Sequence, residues 1–194
     1  MLSLRTYLIK ERVGFMKLVD TYDIFDPASG RQVGVAREKV PGYVHVLRFL
    51  VNKRLLPTGV EVREEAGGPV VVAIRRGGTL FRSKVRIFDG GGRCIGHFLS
   101  RVFSLGGAFD VFDAQGQKVA EVKGDWKGWN FTLQSADGRP VGTVTKKWGG
   151  VGRELFTSAD NYVIAINDQY PVDDKLAALL LAAGLAIDIV YKEK

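Results

Sequence analysis

The chain has 194 residues, 46% of them hydrophobic and 25% charged, a balance that suits one packed domain and excludes a disordered segment. A single cysteine, Cys94, excludes an intramolecular disulfide and a thiolate metal cluster, and it fits a reducing cytoplasm. The net charge of +7 is uneven, with 18 Lys/Arg against 9 Asp/Glu in residues 1–108 and 10 against 12 in residues 109–194. The basic half can attract nucleic acid, anionic lipid headgroups or acidic proteins, or can serve solubility alone.

The opening "MLSLRTYLIKERVGF" has no apolar core of the length a secretory signal requires, because Lys10, Glu11 and Arg12 interrupt it. No export is expected. From Tyr22 onward one sentence recurs: "YDIFDPASGRQVGVA", then "VRIFDGGGRCIGHFL" from Val85, "FDVFDAQGQKVAEV" from Phe109 and "FTLQSADGRPVGTV" from Phe131. Each copy alternates apolar and polar residues and reaches Asp or Ser, turn residues and a glycine. It then returns with apolar residues two apart. Alternation marks a strand with one buried face. Asp or Ser followed by glycine suits a type I turn closed in the left-handed region. The repeated unit is therefore a β-hairpin, and "ELFTSADNYVIAI" (Glu154 to Ile166) reads as a degenerate fifth copy.

Further strand signal lies at "YVHVLRFL", "GVEVREE" and "VVVAIRR", which brings the expectation to ten to twelve short antiparallel strands. "EEAGGP" (Glu64 to Pro69) is the best loop, but the hairpin period continues past it. A single domain over 1–194 follows.

In "FRSKVRIF", Arg82, Lys84 and Arg86 lie two apart and project from one face of a strand, with Phe81, Ser83, Val85 and Ile87 on the other. Three cations in a row make a platform for anionic headgroups, although a solvated barrel wall would carry the same row. Arg75-Arg76 and Lys53-Arg54 point to opposite faces if extended and carry little. Lys146, Lys147 and Trp148, with Lys123, Trp126, Lys127 and Trp129, combine cations with aromatics. Such pairs suit a membrane interface or stacked single-stranded nucleic acid, while tryptophans packed in core or turns are the plainer alternative.

Catalytic chemistry is thinly represented. His45 and His97 lack metal-ligand partners at motif spacing, and Cys94 with His97 has no orienting acid. "DGGGR" is followed by no crossover helix and matches no phosphate-binding loop. No catalytic residue, cofactor, metal or small-molecule substrate is expected.

After Pro171 the pattern changes. Asp173 and Asp174 occupy helix N-cap positions, and Leu176 to Ile187 carry no polar side chain. A helix apolar on every side is buried all round. A membrane span needs about 20 apolar residues and Asp188 interrupts sooner, so a helix over about 173–187, sheathed by strands, is expected. Ala177, Ala178, Ala182, Ala183 and Gly184 would let those strands approach closely. Asp188 is expected to cap or anchor the helix end.

The hairpin series and apolar tail resemble the tubby-like barrel shared by phospholipid scramblases and LURP-one-related proteins. The likeness is strongest in "VKGDWKGWNFTLQSADGRPVGTVTKKWGGVGRELFTSADNYVIAI" (Val122 to Ile166) and continues through "AALLLAAGLAIDIVYKE"; the opening "YLIKERVGFMKLVDTYDIFDPASG" shares it. Its most specific pieces are Lys146-Lys147-Trp148, Ser158-Ala159-Asp160-Asn161-Tyr162 and Ala186-Ile187-Asp188. None of them is catalytic. The resemblance implies a closed antiparallel β-barrel of about twelve strands wrapped around the C-terminal helix. It implies phospholipid as the partner, since scramblases move phospholipids between leaflets in response to calcium and tubby domains bind phosphoinositides through basic residues. Two departures stand out. The proline-rich leader and clustered cysteines of eukaryotic scramblases are absent from this sequence. The scramblase calcium segment corresponds to Ser158 through Asp173, but its first acidic position is Ser158 and its spacing is longer, so calcium binding is not carried over.

The expectation is therefore a mainly β, non-enzymatic cytoplasmic protein, peripheral at a membrane. Arg82, Lys84, Arg86, Lys146 and Lys147 are its headgroup-binding candidates. A protein-interaction scaffold is the alternative reading and lipid scrambling the third, with nucleic acid ranked below lipid.

Overall fold

The fold is described from a computed structural model, which describes residues 1–12, 19–47, 50–51, 55–77, 83–101, 107–125, 127–146 and 161–191. Twelve strands form one closed antiparallel barrel in meander order: β1 (Thr6–Glu11), β2 (Thr21–Phe25), β3 (Gln32–Glu38), β4 (Thr58–Arg63), β5 (Val70–Arg76), β6 (Lys84–Asp89), β7 (Cys94–Ser100), β8 (Ala108–Asp113), β9 (Lys118–Asp125), β10 (Asn130–Ser135), β11 (Pro140–Thr145) and β12 (Asn161–Ile166). Each strand pairs with its sequence neighbours, and β12 closes the ring on β1, with Leu8 opposite Val163. Closure leaves no free strand edge.

The repeated sentence in the sequence is a repeated turn in space. The amides of Asp26, Asp89, Asp113 and Ser135 donate to the carbonyls of Arg31, Arg93, Gln117 and Arg139, respectively. Each turn closes on a glycine in the left-handed region, as Gly116 does at φ 82°, where a side chain would be strained. The register slips by one residue beside each of these turns, the bulge that such a turn requires. The four turns lie at one end of the barrel, here the hairpin end.

At the other end sits α1 (Gly42–Leu47), between β3 and β4. This corrects the strand expected at "YVHVLRFL". The run is short, and its apolar residues Tyr43, Val44 and Leu47 also satisfy helical spacing. Pro41 opens the helix, its carbonyl accepting the Val44 amide, and Val44 is fully buried. Of the degenerate fifth hairpin, β12 is the return strand, and 154–160 lie outside the described residues.

The helix α2 (Asp174–Tyr191) enters at the hairpin end and runs through the barrel. Asp173 is its N-cap, its Oδ1 accepting the Leu176 amide at 2.8 Å. Every residue from Ala177 to Asp188 is buried, and the helix packs against β5, β6, β7 and β12. Phe109, Phe131 and Leu133, on β8 and β10, join the same core. A Cβ built at Gly184 would fall on the Ile164 side chain of β12, so β12 passes close to the helix because glycine is there. The helix extends beyond the expected end at 187. Asp188 can stay inside because it has a partner: the Tyr22 hydroxyl donates to its Oδ2.

Candidate functional site

In β6 the residues alternate strictly. Val85 and Ile87 are fully buried, and Lys84 and Arg86 are exposed on the outer wall. The register places Arg86 opposite Arg75 of β5 and opposite His97 of β7, with Lys84 opposite Leu99. Arg75 is also exposed, and its guanidinium lies 4.8 Å over the Phe88 ring. His97 stacks on Phe112 of β8, centroids 4.9 Å apart and planes within 10°. Arg75, Arg86, His97 and Phe112 thus form one transverse row, with Lys84 beside it. Like charges directly opposite on a sheet repel. Partial burial, then the Lys84 and Arg86 charges, hold the His97 imidazole below its ordinary pKa, so it adds no charge at neutral pH.

The next two strands manage their charges differently. Asp110 of β8 and Glu121 of β9 bind Arg101 at 2.5 and 2.7 Å and Lys118 at 2.9 and 3.0 Å. Lys123 also pairs with Glu121. The hydrogen bonds from Arg101 and Lys118 pull the Asp110 carboxyl down to about 2; those from Lys123, Lys118 and Arg101 pull Glu121 down to about 2 as well. In that patch every charge has a partner, three cations sharing two carboxylates. Arg75, Lys84 and Arg86 have no ion-pair partner among the described residues. Among the described residues no ion pair offsets the charge of this wall, which leaves its cationic groups open to solvent.

Of the sequence-predicted cations, Lys84 and Arg86 share this wall. Arg82 and Lys147 lie outside the described residues. Lys146 follows β11, five strands around the ring from β6, so it faces a different side. Its ammonium sits 4.4 Å over the Trp129 ring and its amide donates to the Trp129 carbonyl. Trp129 is partly buried against Tyr162 and Phe131, with centroids at 5.3 and 6.3 Å, a turn-packing role. Trp126 and Trp148 lie outside the described residues. Sequence reasoning set Arg75 and His97 aside, the first as one of an adjacent pair that carries little and the second for want of metal-ligand partners. Arg75 and Arg76 do point to opposite faces: Arg76 is inside, its guanidinium donating to Thr58 Oγ1 at 3.3 Å. The outer one completes the row, and only the β5–β6 register reveals it.

Comparison with known proteins identifies the family. The family model described as Scramblase matches residues 66–194. The chain belongs to the scramblase family. It is 40% identical over 68 residues to phospholipid scramblase 1 of Mus musculus, covering 34% of this chain and 20% of that protein. It is 37% identical over 70 residues to phospholipid scramblase 2 of Homo sapiens, with 34% and 22% covered. It is also 28% identical over 100 residues to altered inheritance rate of mitochondria protein 25 of Saccharomyces cerevisiae, with 44% and 28% covered. The matched part of the chain thus spans between a fifth and a third of these relatives' length. No solved structure matches.

Two other features of this scramblase-family barrel gather polar groups. At the hairpin end an open cleft of about 1060 Å³ lies between three hairpins and the start of α2. Its carboxylates are already engaged: Asp89 with Arg93, Asp113 with the Gln117 amide, Asp137 with Arg139, and Asp173 with the helix. Inside the α1 end, Tyr22 and Tyr162 flank Asp188, and burial together with that carboxylate holds both phenols well above their ordinary pKa. Both remain neutral, but only the Tyr22 hydroxyl donates to the carboxylate; the buried Tyr162 hydroxyl makes no hydrogen bond among the described residues. Among the described residues no group of three or more His, Cys, Asp or Glu is placed to hold a metal ion.

Proposed function

We propose that this scramblase-family chain is a membrane-surface module, not an enzyme, that binds anionic phospholipid headgroups through Arg75, Lys84 and Arg86. The observation that carries this reading is that these three cations have no ion-pair partner among the described residues, beside a patch where every cation is paired. Exposed guanidinium and ammonium groups bind phosphate oxygens with little desolvation cost, and their pull on an anionic leaflet adds about 1 kcal/mol per cation. Arg82, two residues before Lys84, extends the row by sequence alone. Lys146 stands apart from it.

The burial of α2 favours surface binding over insertion of that helix. No helix among the described residues is long and apolar enough to cross a membrane. Withdrawing α2 would also leave the barrel lining, Val60, Val72, Ile74, Val85 and Ile87 among it, without its packing partner. At about 1.5–3 kcal/mol per large apolar side chain, that loss is comparable to the whole stability of a domain.

Co-sedimentation with vesicles tests the proposal. The chain is expected to pellet with phosphatidylcholine vesicles containing phosphatidylserine, to stay in solution with phosphatidylcholine alone, and to dissociate at high salt. The Lys84→Glu, Arg86→Glu variant should lose the binding. Full binding by that variant, or equal binding to neutral vesicles, would overturn the assignment. Transfer of dye-labelled lipid between leaflets tests whether the chain also scrambles.

A further inference from the structure

The large hydrophobic residues exposed among the described residues are Tyr43 (60%), Leu50 (79%), Val51 (36%) and Leu55 (39%). All four fall within the β3–β4 connection. Scattered singly they would mean nothing; four within a thirteen-residue stretch make this connection apolar on its exposed side, here called the apolar knob. The connection is pinned from beneath by Val44, fully buried, and by Leu56, 6% exposed. The amides of Leu50 and Val51 both donate to the Leu47 carbonyl, at 3.0 and 2.8 Å. These anchors belong to the described parts of the connection, on which the four side chains are exposed.

Position gives the knob its meaning. β3 ends and β4 begins at the α1 end of the barrel, and β4 is hydrogen-bonded to β5. Lys84 opens β6 at the same end, and Arg75 is one residue from the end of β5. Arg37 is exposed on β3 near that end as well. The apolar knob and the unpaired cations therefore occupy adjacent sectors of one rim. The carboxylate on the outer wall of β4, Glu61, is already held by Lys39 and Arg63, so the wall beside the knob stays net positive. Apolar and aromatic side chains beside unpaired cations match the anionic bilayer interface, where tyrosine sits at headgroup level and leucine reaches the acyl boundary. Two weak signals acting together are also what a stable peripheral attachment needs.

We infer that Tyr43, Leu50, Val51 and Leu55 insert into the interface of an anionic bilayer and seat the barrel on it with its α1 end toward the lipid. This rests on the headgroup reading above and adds the inserted element and the orientation. The opposite, hairpin end then faces away from the membrane.

The test uses the full chain in a Cys94→Ser background, with an environment-sensitive dye on Leu50→Cys or, at the hairpin end, on the exposed Gln115→Cys. On phosphatidylcholine–phosphatidylserine vesicles the dye at 50 should shift to the blue, brighten several-fold and be quenched by brominated acyl chains. The dye at 115 should not change. Leu50→Asp with Leu55→Asp should weaken co-sedimentation at least tenfold with the melting temperature unchanged, since both side chains are already exposed. If the chain pellets with vesicles while the dye at 50 stays unchanged, the seating is wrong and the headgroup reading stands. A dye at 50 that brightens with protein concentration and no vesicles would mean a second copy covers the knob, and would overturn the inference. Absence of binding to any anionic vesicle would remove both proposals.

Discussion

Arg75 and Arg86 stand directly opposite each other across the β5–β6 ladder, both on the outer wall. The like-charged pair on β8 and β9, Asp110 opposite Glu121, is offset by Arg101, Lys118 and Lys123, whereas no carboxylate among the described residues pairs with Arg75 or Arg86. Replacing Arg86 by threonine removes the repulsion and introduces a residue favoured in strands. We expect Arg86→Thr to raise stability by up to about 1 kcal/mol and to weaken binding to anionic vesicles. Thermal denaturation and co-sedimentation of one preparation check both. A destabilised variant would show that the pair serves packing.

His97 makes the same wall sensitive to pH. Its folded pKa lies below the ordinary 6.5 because partial burial and the Lys84 and Arg86 charges disfavour the imidazolium, with Asp113 opposing weakly and Phe112 stacked on the ring. As pH falls below 6.5 the unfolded chain binds a proton before the folded one does, so this contribution to stability is lost on acidification. Anionic lipid cancels part of the cationic field, so the His97 pKa should rise when vesicles bind. The His97 Cε1 proton, followed by NMR with and without phosphatidylserine vesicles, reports both shifts. An unchanged midpoint would separate His97 from the lipid surface.

The fold was more legible in the sequence than the site. The four hairpins could be read because one local turn, closed by a left-handed glycine, writes the same residues each time. The buried helix could be read because nothing polar interrupts Leu176 to Ile187. The six residues of α1 could not, because Tyr43, Val44 and Leu47 fit either period over so short a run. Arg86 was visible within its own strand, but its neighbours Arg75 and His97 come from the strands on either side. Cross-strand register depends on bulges such as those at Val62/Arg63 and Ile87/Phe88, and alternation does not locate those. Lys146 lies in the same half of the sequence as the strongest family likeness, yet folding carries it to another side of the ring.

The ion-paired patch on β8 and β9 predicts the acid limb of stability. Asp110 and Glu121 both titrate at about 2 in the folded chain, against ordinary values of 3.8 and 4.5. Depressed carboxylates contribute stability that is present above their unfolded values and lost as pH falls toward 2. Asp110→Asn with Glu121→Gln should lower stability at neutral pH and flatten the profile between about 4.5 and 2, as measured by urea denaturation across that window. An unchanged acid slope would show that the network is screened to insignificance.

The Tyr22–Asp188 hydrogen bond fixes the far end of α2 inside the barrel. Tyr22→Phe keeps the ring and removes the donor, leaving a buried carboxylate short of one partner. A loss of about 1–3 kcal/mol is expected, read from urea denaturation. Tyr43→Phe, at an exposed ring, should cost almost nothing and serves as the control. Equal effects would mean that solvent already satisfies Asp188.

The close passage of β12 over α2 at Gly184 gives the sharpest test of the helix-in-barrel packing. Gly184→Val places methyl groups where the Ile164 side chain already sits, and overpacking of this kind costs about 1–3 kcal/mol. Ile164→Ala alone should cost about 2–5 kcal/mol, because Ile164 is 1% exposed and leaves a cavity. If the two positions touch, the cavity of one variant accepts the added methyl groups of the other, and the double variant should be clearly more stable than the two losses added together. Strict additivity in urea denaturation would mean that α2 does not lie beneath β12. The burial of the tail, the closure of the barrel around it and the orientation proposed at the membrane would then all need a different arrangement.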